Sequence, residues 1–591
     1  MLVAGADNDK SLSGCLWKAI SYEDRLAETI AQRYHLSFLL SSILAARGVK
    51  VDEVDCFLNP KLQQLMPNPS VMKDMDKAAT KIAEIIMQRR VIGVIGDYDV
   101  DGATSSAVLC LFLESLGVKS IVHIPDRDEG YGPSRQAFDD FKNQGINFVI
   151  TTDCGTTAFE PFEYAAEQGF EVIVLDHHEA EIKLPQVYAL INPKRLDEEN
   201  DYPYLQYMSA VGVVFMTVVA VNRQLRERGF YKEHSEPSLL QWLDLVALGT
   251  VCDVVPLRGL NRAFVRQGLK VMAQRGNIGL RALADKAGLN EEPTAFHLGY
   301  LLGPRINAGG RVGDSSLGNK LLCCHDSKQA EQLAAQLNDF NIQRKDIENY
   351  VLQEAIEKLE STTSQYPIAF VAGKNWHQGV VGIVAGKLKE RYNVPAFVMS
   401  IEEDEVKGSA RSIPQVDLGA LIIAAKEKGI ITKGGGHTMA AGYSLNEEKI
   451  DEFQKFVGEY VQSRVGNEAI VPVIEYDGMI DLSGATSDLA AKLALLEPYG
   501  VGNSEPKLVI HNVYFKRADI VGSGHVRCVL SSDSGGSVKA MAFRCADNEV
   551  GQVILNNHHE VFDVLGTLRR DNWLGRDNVQ FIIEDVRRVT Q

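Results

Sequence analysis

Five short apolar runs between Val91 and Pro193 limit what this chain can fold into more than any other feature. VIGVIG (91–96), SIVHIP (120–125), NFVITT (147–152), EVIVLD (171–176) and YALINP (188–193) are rich in β-branched residues and too short for buried helices. Helical stretches separate them: GATSSAVLCLFLESLG (102–117), Ser134 to Gly145, and a segment ending at Gly169. Runs without polar alternation are buried on both faces, and strands that alternate with helices run parallel. The expectation is a doubly wound α/β domain. In such a sheet the C-terminal ends of the strands share one edge, and ligands bind there where the strand order reverses.

That edge is acidic. Asp97, Asp99 and Asp101 follow the first strand in GDYDVDG, and Asp153 ends the third in TTDCG. Asp176, His177 and His178 end the fourth in LDHH, and Asp253 follows a helical run in ALGTVCDVVPL. One aspartate at a strand end is ordinarily a turn or cap residue. This many on one rim is different, because buried like charges repel unless paired or bound to cations. Oxygen donors suit Mg2+ or Mn2+, and an imidazole leans toward Mn2+. Alternate residues of an extended segment project to one side, which brings Asp97, Asp99 and Asp101 together. Two ions bridged by a shared carboxylate would support phosphoester hydrolysis.

Other motifs are missing. GVVGIVAGKL (379–388) has the wrong spacing for a phosphate loop, no HExxH occurs, and GVIGDYDVDG lacks the GxGxxG order, which argues against a dinucleotide-dependent dehydrogenase. His558-His559 lies in a polar segment far from the acids and reads as surface.

With 591 residues, 45% hydrophobic and 24% charged, the chain is globular, and at roughly 150 residues per domain it holds about four. A net charge of −17 argues against wholesale coating of nucleic acid or anionic membrane. Residues 505–591 carry 11 basic and 11 acidic side chains, so all of the negative excess lies before them. Nine cysteines without CxxC spacing suit a reduced, cytoplasmic protein. MLVAGADNDK shows no signal peptide, and the longest apolar stretch, from Ala210 to Val221, is too short to span a bilayer.

The expected organisation is an N-terminal helical region (1–75), the parallel-sheet domain (76–325), a connecting helix (326–362), a second smaller α/β domain (363–465) and a C-terminal β-barrel (466–591). The second domain has PIAFVAG (367–373), a helix and PAFVMS (395–400), and ends in KGGGH (433–437). The barrel is read from short, evenly spaced strands after 467 and is of oligonucleotide-binding (OB) type.

GDYDVDG, TTDCG and VLDHH, with Asp253 and PRINAGGR (304–311), resemble the DHH phosphoesterase superfamily. GGGHTMAAG (434–442) resembles its associated C-terminal domain. Within the superfamily, residues 75–591 resemble the bacterial single-stranded-DNA-specific exonucleases. The resemblance implies an enzyme of recombination and repair that degrades single-stranded DNA from the 5′ end and releases nucleotides, using two Mn2+ or Mg2+ ions. Asp101, Asp153, His177 and Asp253 would hold one ion. Asp99 and Asp153 would hold the other, with Asp97 in its shell, and His178 would contact the scissile phosphate. Gly434, Gly435 and Gly436 would bring backbone N–H groups to a phosphate, with His437 as a further donor. Ser409, Arg411 and Arg127 would bind the terminal 5′-phosphate. Arg305 and Arg311 would neutralise charge on the reacting phosphate. Trp376 and His377 would line the channel. Tyr514, Phe515, Lys516, Arg517, His525 and Arg527 would extend the track along the barrel.

The partners expected are single-stranded DNA, a helicase and a single-strand-binding protein; a monomer is expected, and no membrane. A DHH phosphodiesterase acting on short oligonucleotides or cyclic dinucleotides is the alternative, and truncation near residue 465 should separate the two. A non-catalytic DNA-binding scaffold would have eroded ligands, whereas here all are present.

Overall fold

The computed structural model describes residues 10–127, 129–199, 201–362, 365–403, 405–466, 470–533, 535–557, 560–571 and 578–589. The first nine residues and the pair His558-His559 lie outside them. The chain forms two compact units, one of residues 340–474 and the other chiefly of 17–339 with 475–591.

The larger unit holds the expected parallel sheet. Its strands are β1 (Ile92–Ile95), β2 (Ser120–His123), β3 (Phe148–Thr152), β4 (Glu171–Leu175) and β5 (Ala189–Ile191). The order is β2-β1-β3-β4-β5, and every pair is parallel. The chain goes out from β1 to β2 and returns across β1 to β3, so the strand order reverses between β1 and β3. Helix α1 (Val100–Ser115) follows β1, α2 (Arg135–Asn143) follows β2 and α3 (Phe159–Glu167) follows β3. Ser134 caps α2 by accepting from the Ala137 N–H. Every residue of α1 from Val100 to Leu113 is buried, which explains a sequence apolar all round. Against α1 pack α4 (Ala210–Glu227) and α5 (Leu243–Cys252), so the long apolar stretch is a core helix. No helix among the described residues is long and apolar enough to cross a membrane.

The sequence reading missed α6 (Gly259–Ala273) and placed PRINAGGR without structure. That motif is helical: a turn of π-helix, His297–Leu302, runs into α7 (Gly303–Val312). The connecting helix α8 spans Ser327–Ser361.

The C-terminal strands Leu508–Val521, His525–Ser531, Ser537–Ala542, Asn578–Arg588 and Phe562–Asp571 pair in that order, and the first and last also pair with each other. This closes a five-stranded barrel, as expected for the OB type. Its core holds Val513, Phe515, Val564 and Phe581, and continues without a break into Ile30, Leu40, Ile43 and Leu44 of the N-terminal helices Asp24–Tyr34 and Phe38–Ala46.

The smaller unit has a mixed sheet rather than a second parallel one. Ala369–Lys374 pairs in parallel with Ala396–Glu402, and then Glu405–Arg411, Ala440–Asn446 and Lys433–His437 follow antiparallel. Phe397, Tyr443 and Phe453 fill its core.

Candidate metal centre

The structure gathers the acidic residues at the reversal of strand order. Three overlapping sets have donor atoms within 4.8 Å of one another: Asp97, Asp99 and Asp153; Asp101, His177 and Asp253; and Asp153, His177 and His178. Local folding puts each one there. Asp99 caps α1 by accepting from the Gly102 N–H at 3.0 Å. A methyl on Gly102 would meet the Asp97 carbonyl at 2.4 Å, so glycine lets the loop fold onto the helix start. Asp101 accepts from the Ala210 and Val211 N–H groups at 2.6 and 3.0 Å, at the positive end of α4. Asp153 leaves β3 with φ +63°, a left-handed conformation that aims its side chain into the cluster. Asp253 caps the C-terminus of α5.

The charges are not balanced by protein groups. His177 Nε2 lies 3.3 Å from Asp153, 3.5 Å from Asp253 and 3.9 Å from Asp101. Yet burial, then His178, pushes the His177 imidazole down to about 3, so it is neutral and has a lone pair to give. Burial and then neighbouring aspartates push Asp97 up to about 8, Asp101 to about 7 and Asp253 to about 9, and hold Asp153 well above the carboxylate range. Among the described residues, buried oxygens of Asp97, Asp153 and Asp253, together with His177 Nε2, have no hydrogen-bond partner. Orphaned hard donors around a neutral imidazole fit divalent cations of the Mg2+ or Mn2+ kind.

Asp176 and His178 do something else. The Asp176 carboxylate accepts from the N–H groups of Thr156, His177 and His178, and from His178 Nδ1 at 2.8 Å. Burial pushes Asp176 up, but these bonds and the two histidines outweigh it and hold the carboxyl below its usual range. In turn, Asp176 raises His178 against the effect of burial. Tyr131, which the sequence reading passed over, places its hydroxyl 3.0 Å from His178 Nδ1 and donates to the Asp153 carbonyl at 2.8 Å. Its sequence signal is the pair of flanking glycines in EGYG, both with positive φ.

Arg127 stacks 4.4 Å over the Tyr98 ring and donates to the Gly310 carbonyl, which ties α7 to the acidic loop. Arg305 donates to Asn338 and to the Leu301 carbonyl. Arg311 lies in the last turn of α7.

In the smaller unit, Gly435, Gly442 and Ser409 are paired in one row across three strands. Arg411 donates to Ser409 Oγ at 3.0 Å, and burial pushes its guanidinium down. The edge strand Lys433–His437 is largely exposed, and a methyl on Gly435 would meet nothing within 4 Å, whereas one on Gly436 would strike Ala440 and Ala441 and one on Gly434 Ile422 and Ile431.

Two expected contacts, those of Trp376 and Phe515, are corrected. Trp376 does not line a channel: it is buried, donates to Glu354, and packs among Val380, Val384 and Val398. His377 is exposed and caps the helix Gln378–Tyr392 by accepting from the Gly379 N–H through Nδ1. Phe515 is fully buried in the barrel and offers no face to a base. Alternation along a strand decides this, since its neighbours Tyr514 and Lys516 point the other way.

The family relationships agree with this geometry. The DHH family N-terminal domain matches residues 91–250, the DHHA1 domain 363–463 and the RecJ OB domain 476–585. The single-stranded-DNA-specific exonuclease RecJ of Escherichia coli (strain K12) is 33% identical across 93% of this chain and 95% of its own. The chain belongs to the RecJ family. RecJ of Bacillus subtilis (strain 168) is 31% identical across 96% of this chain and 70% of its own. RecJ from Thermus thermophilus, solved in complex with Mn2+, superposes with a TM-score of 0.80 at 26% identity, covering 97% of this chain and 80% of that one. Its Mg2+ complex shares the fold with a TM-score of 0.74.

Proposed function

We propose that this RecJ-family chain is a metal-dependent exonuclease that hydrolyses single-stranded DNA in the 5′ to 3′ direction. One observation carries the hydrolytic centre: unpartnered carboxylate oxygens and a neutral imidazole converge where the strand order reverses. Single-strand specificity is supported by the names of the relatives, and polarity by the family resemblance.

Asp101, Asp153, His177 and Asp253 would hold one cation, and Asp99 and Asp153 the other, with Asp97 beside it. When bound, such ions offset charge on a phosphate and make a nearby water more acidic. The chain's own groups do the rest. Asp153 serves both sets and fixes their spacing. His178, whose protonated form Asp176 favours and whose ring Tyr131 orients, would donate toward the substrate phosphate. Arg127 and Arg311 add positive charge close to the acidic loop, and Arg305 would add more toward the reacting phosphate. In the smaller unit, Ser409, Arg411, Gly435, Gly436 and His437 would grip phosphates of the strand. We further read the protein as a cytoplasmic monomer of recombination and repair that meets single-strand-binding protein and a helicase on its substrate.

The test is a single-stranded oligonucleotide labelled at its 3′ end, incubated with Mn2+ beside the matching blunt duplex. Progressive loss from the unlabelled end, with the duplex spared, is expected. Cleavage confined to di- or trinucleotides would move the chain to the short-substrate branch. Asp153→Ala should abolish cleavage while single-strand binding persists; full activity in that variant would sink the mechanism.

A further inference from the structure

The segment that ends in PRINAGGR leaves two aromatic rings in the open. Phe296 and Tyr300 are 59% and 74% exposed. Their ring centroids are 5.0 Å apart with 26° between planes, a stacked pair. Phe296 precedes and Tyr300 lies within a turn of π-helix, a rare form that gathers at functional sites. The other face of the segment is packed on the acidic edge. Leu298 and Leu302 are buried, and the Cys252 thiol donates to the Leu298 carbonyl at 3.4 Å. A methyl on Gly303 would stand 2.5 Å from Cys252 Sγ, and one on Gly310 would stand 2.7 Å from the Tyr98 carbonyl. Cys252 precedes Asp253, and Tyr98 stands between Asp97 and Asp99. The segment therefore runs along the rim of the cluster from one group of acids to the other.

Single exposed aromatics are ordinary. A stacked pair whose outer face is open fills no core, and it presents a flat surface to a third ring. The same helical segment carries Arg305 and Arg311, which suits an occupant that brings phosphates. We propose that Phe296 and Tyr300 form a stacking platform for one unpaired nucleobase of the strand held at the acidic cluster. This rests on reading that cluster as a nuclease centre. Every base has a π-face, so the platform tolerates any sequence. A base inside a duplex has both faces covered by its neighbours, so the platform takes only an unpaired one and contributes to selection of single strands.

The probe is a single-stranded oligonucleotide with 2-aminopurine at successive positions, whose fluorescence falls on stacking. It is mixed with the Mn2+-loaded full chain and followed before the first turnover. One position should be quenched by the parent. Tyr300→Ala should lose that quench and raise KM about tenfold, equivalent to about 1.4 kcal/mol of stacking. Tyr300→Trp should keep both. If Tyr300→Ala also melts at a lower temperature, Phe296→Ala and Tyr300→Trp carry the comparison. An unchanged quench and KM in both alanine variants would overturn the platform. Binding and cleavage by the parent with no position quenched would overturn the platform alone, whereas a parent that binds no strand would overturn the nuclease reading with it.

Discussion

At the scale of single residues, burial sets the chemistry. The same desolvation that pushes Asp97, Asp101 and Asp253 up also acts on an acid outside the cluster. Asp244, in the first turn of α5, is 2% exposed and accepts from the Leu245 N–H. Burial pushes it up to about 7, with that hydrogen bond opposing. Because this lies above the unfolded value, the folded chain holds a proton that the unfolded chain has released between about pH 4 and 7. Stability is therefore lost as pH rises through that window. Asp244→Asn should flatten the slope and exceed the parent at pH 8 by up to about 4 kcal/mol, at about 1.4 kcal/mol per pH unit. Urea unfolding across pH, both chains saturated with Mn2+, checks this; parallel curves would contradict it.

At the scale of elements, the centre depends on how closely three helices approach. α1, α4 and α5 meet at Gly249, where a methyl would stand 2.3 Å from Thr104 Oγ1, 2.7 Å from Asp101 Oδ1 and 2.7 Å from Val211 Cγ1. Two of those three contacts are core packing, and the third is a candidate metal donor. Gly249→Ala should cost roughly 1–3 kcal/mol by overpacking. It should also weaken Mn2+ binding, because Asp101 must yield. Calorimetric titration against Mn2+ separates the two effects: a lower melting temperature with unchanged affinity would show that Asp101 has not moved. The helical run after DxDxDG was readable from composition and its glycine stop. The crossing at Gly249 was not, because nothing in ALGTVCD says which helix it will touch.

At the scale of the whole molecule, the barrel is more than an appended binding module. Ile30, Leu40 and Ile43 of the N-terminal helices share its core. Arg262 of α6, 1% exposed, donates to the carbonyls of Phe57, Leu496, Glu497 and Pro498 and stacks 4.1 Å from the Phe57 ring. Leu257, four residues past Asp253, donates its N–H to Val501. Truncation near residue 465 would strip these partners, so it would perturb the fold as well as the DNA track. Arg262→Ala should take one donor from each of four carbonyls, two buried and two partly buried, and cost about 1–3 kcal/mol. Scanning calorimetry should show the transition of the larger unit moving to lower temperature; an unaltered melt would mean that water replaces the guanidinium.

Strand positions, the helices between them and the acidic rim were legible because each follows from a local period: apolar runs of strand length, helical stretches separating them, and aspartates where strands end. Asp97, Asp99, Asp101, Asp153 and His177 needed only that pattern and the rule that parallel strands share an edge, whereas Asp253, at the end of a helix, needed the family resemblance. Tertiary structure decided what local period cannot encode. It buried Trp376 and Phe515, brought Tyr131 to His178, joined the N-terminal helices to a barrel more than 400 residues away in the chain, and left the Phe296–Tyr300 stack uncovered. Each of these depends on which surfaces meet after folding, and burial at such contacts is a property of the packed molecule rather than of any stretch of its sequence.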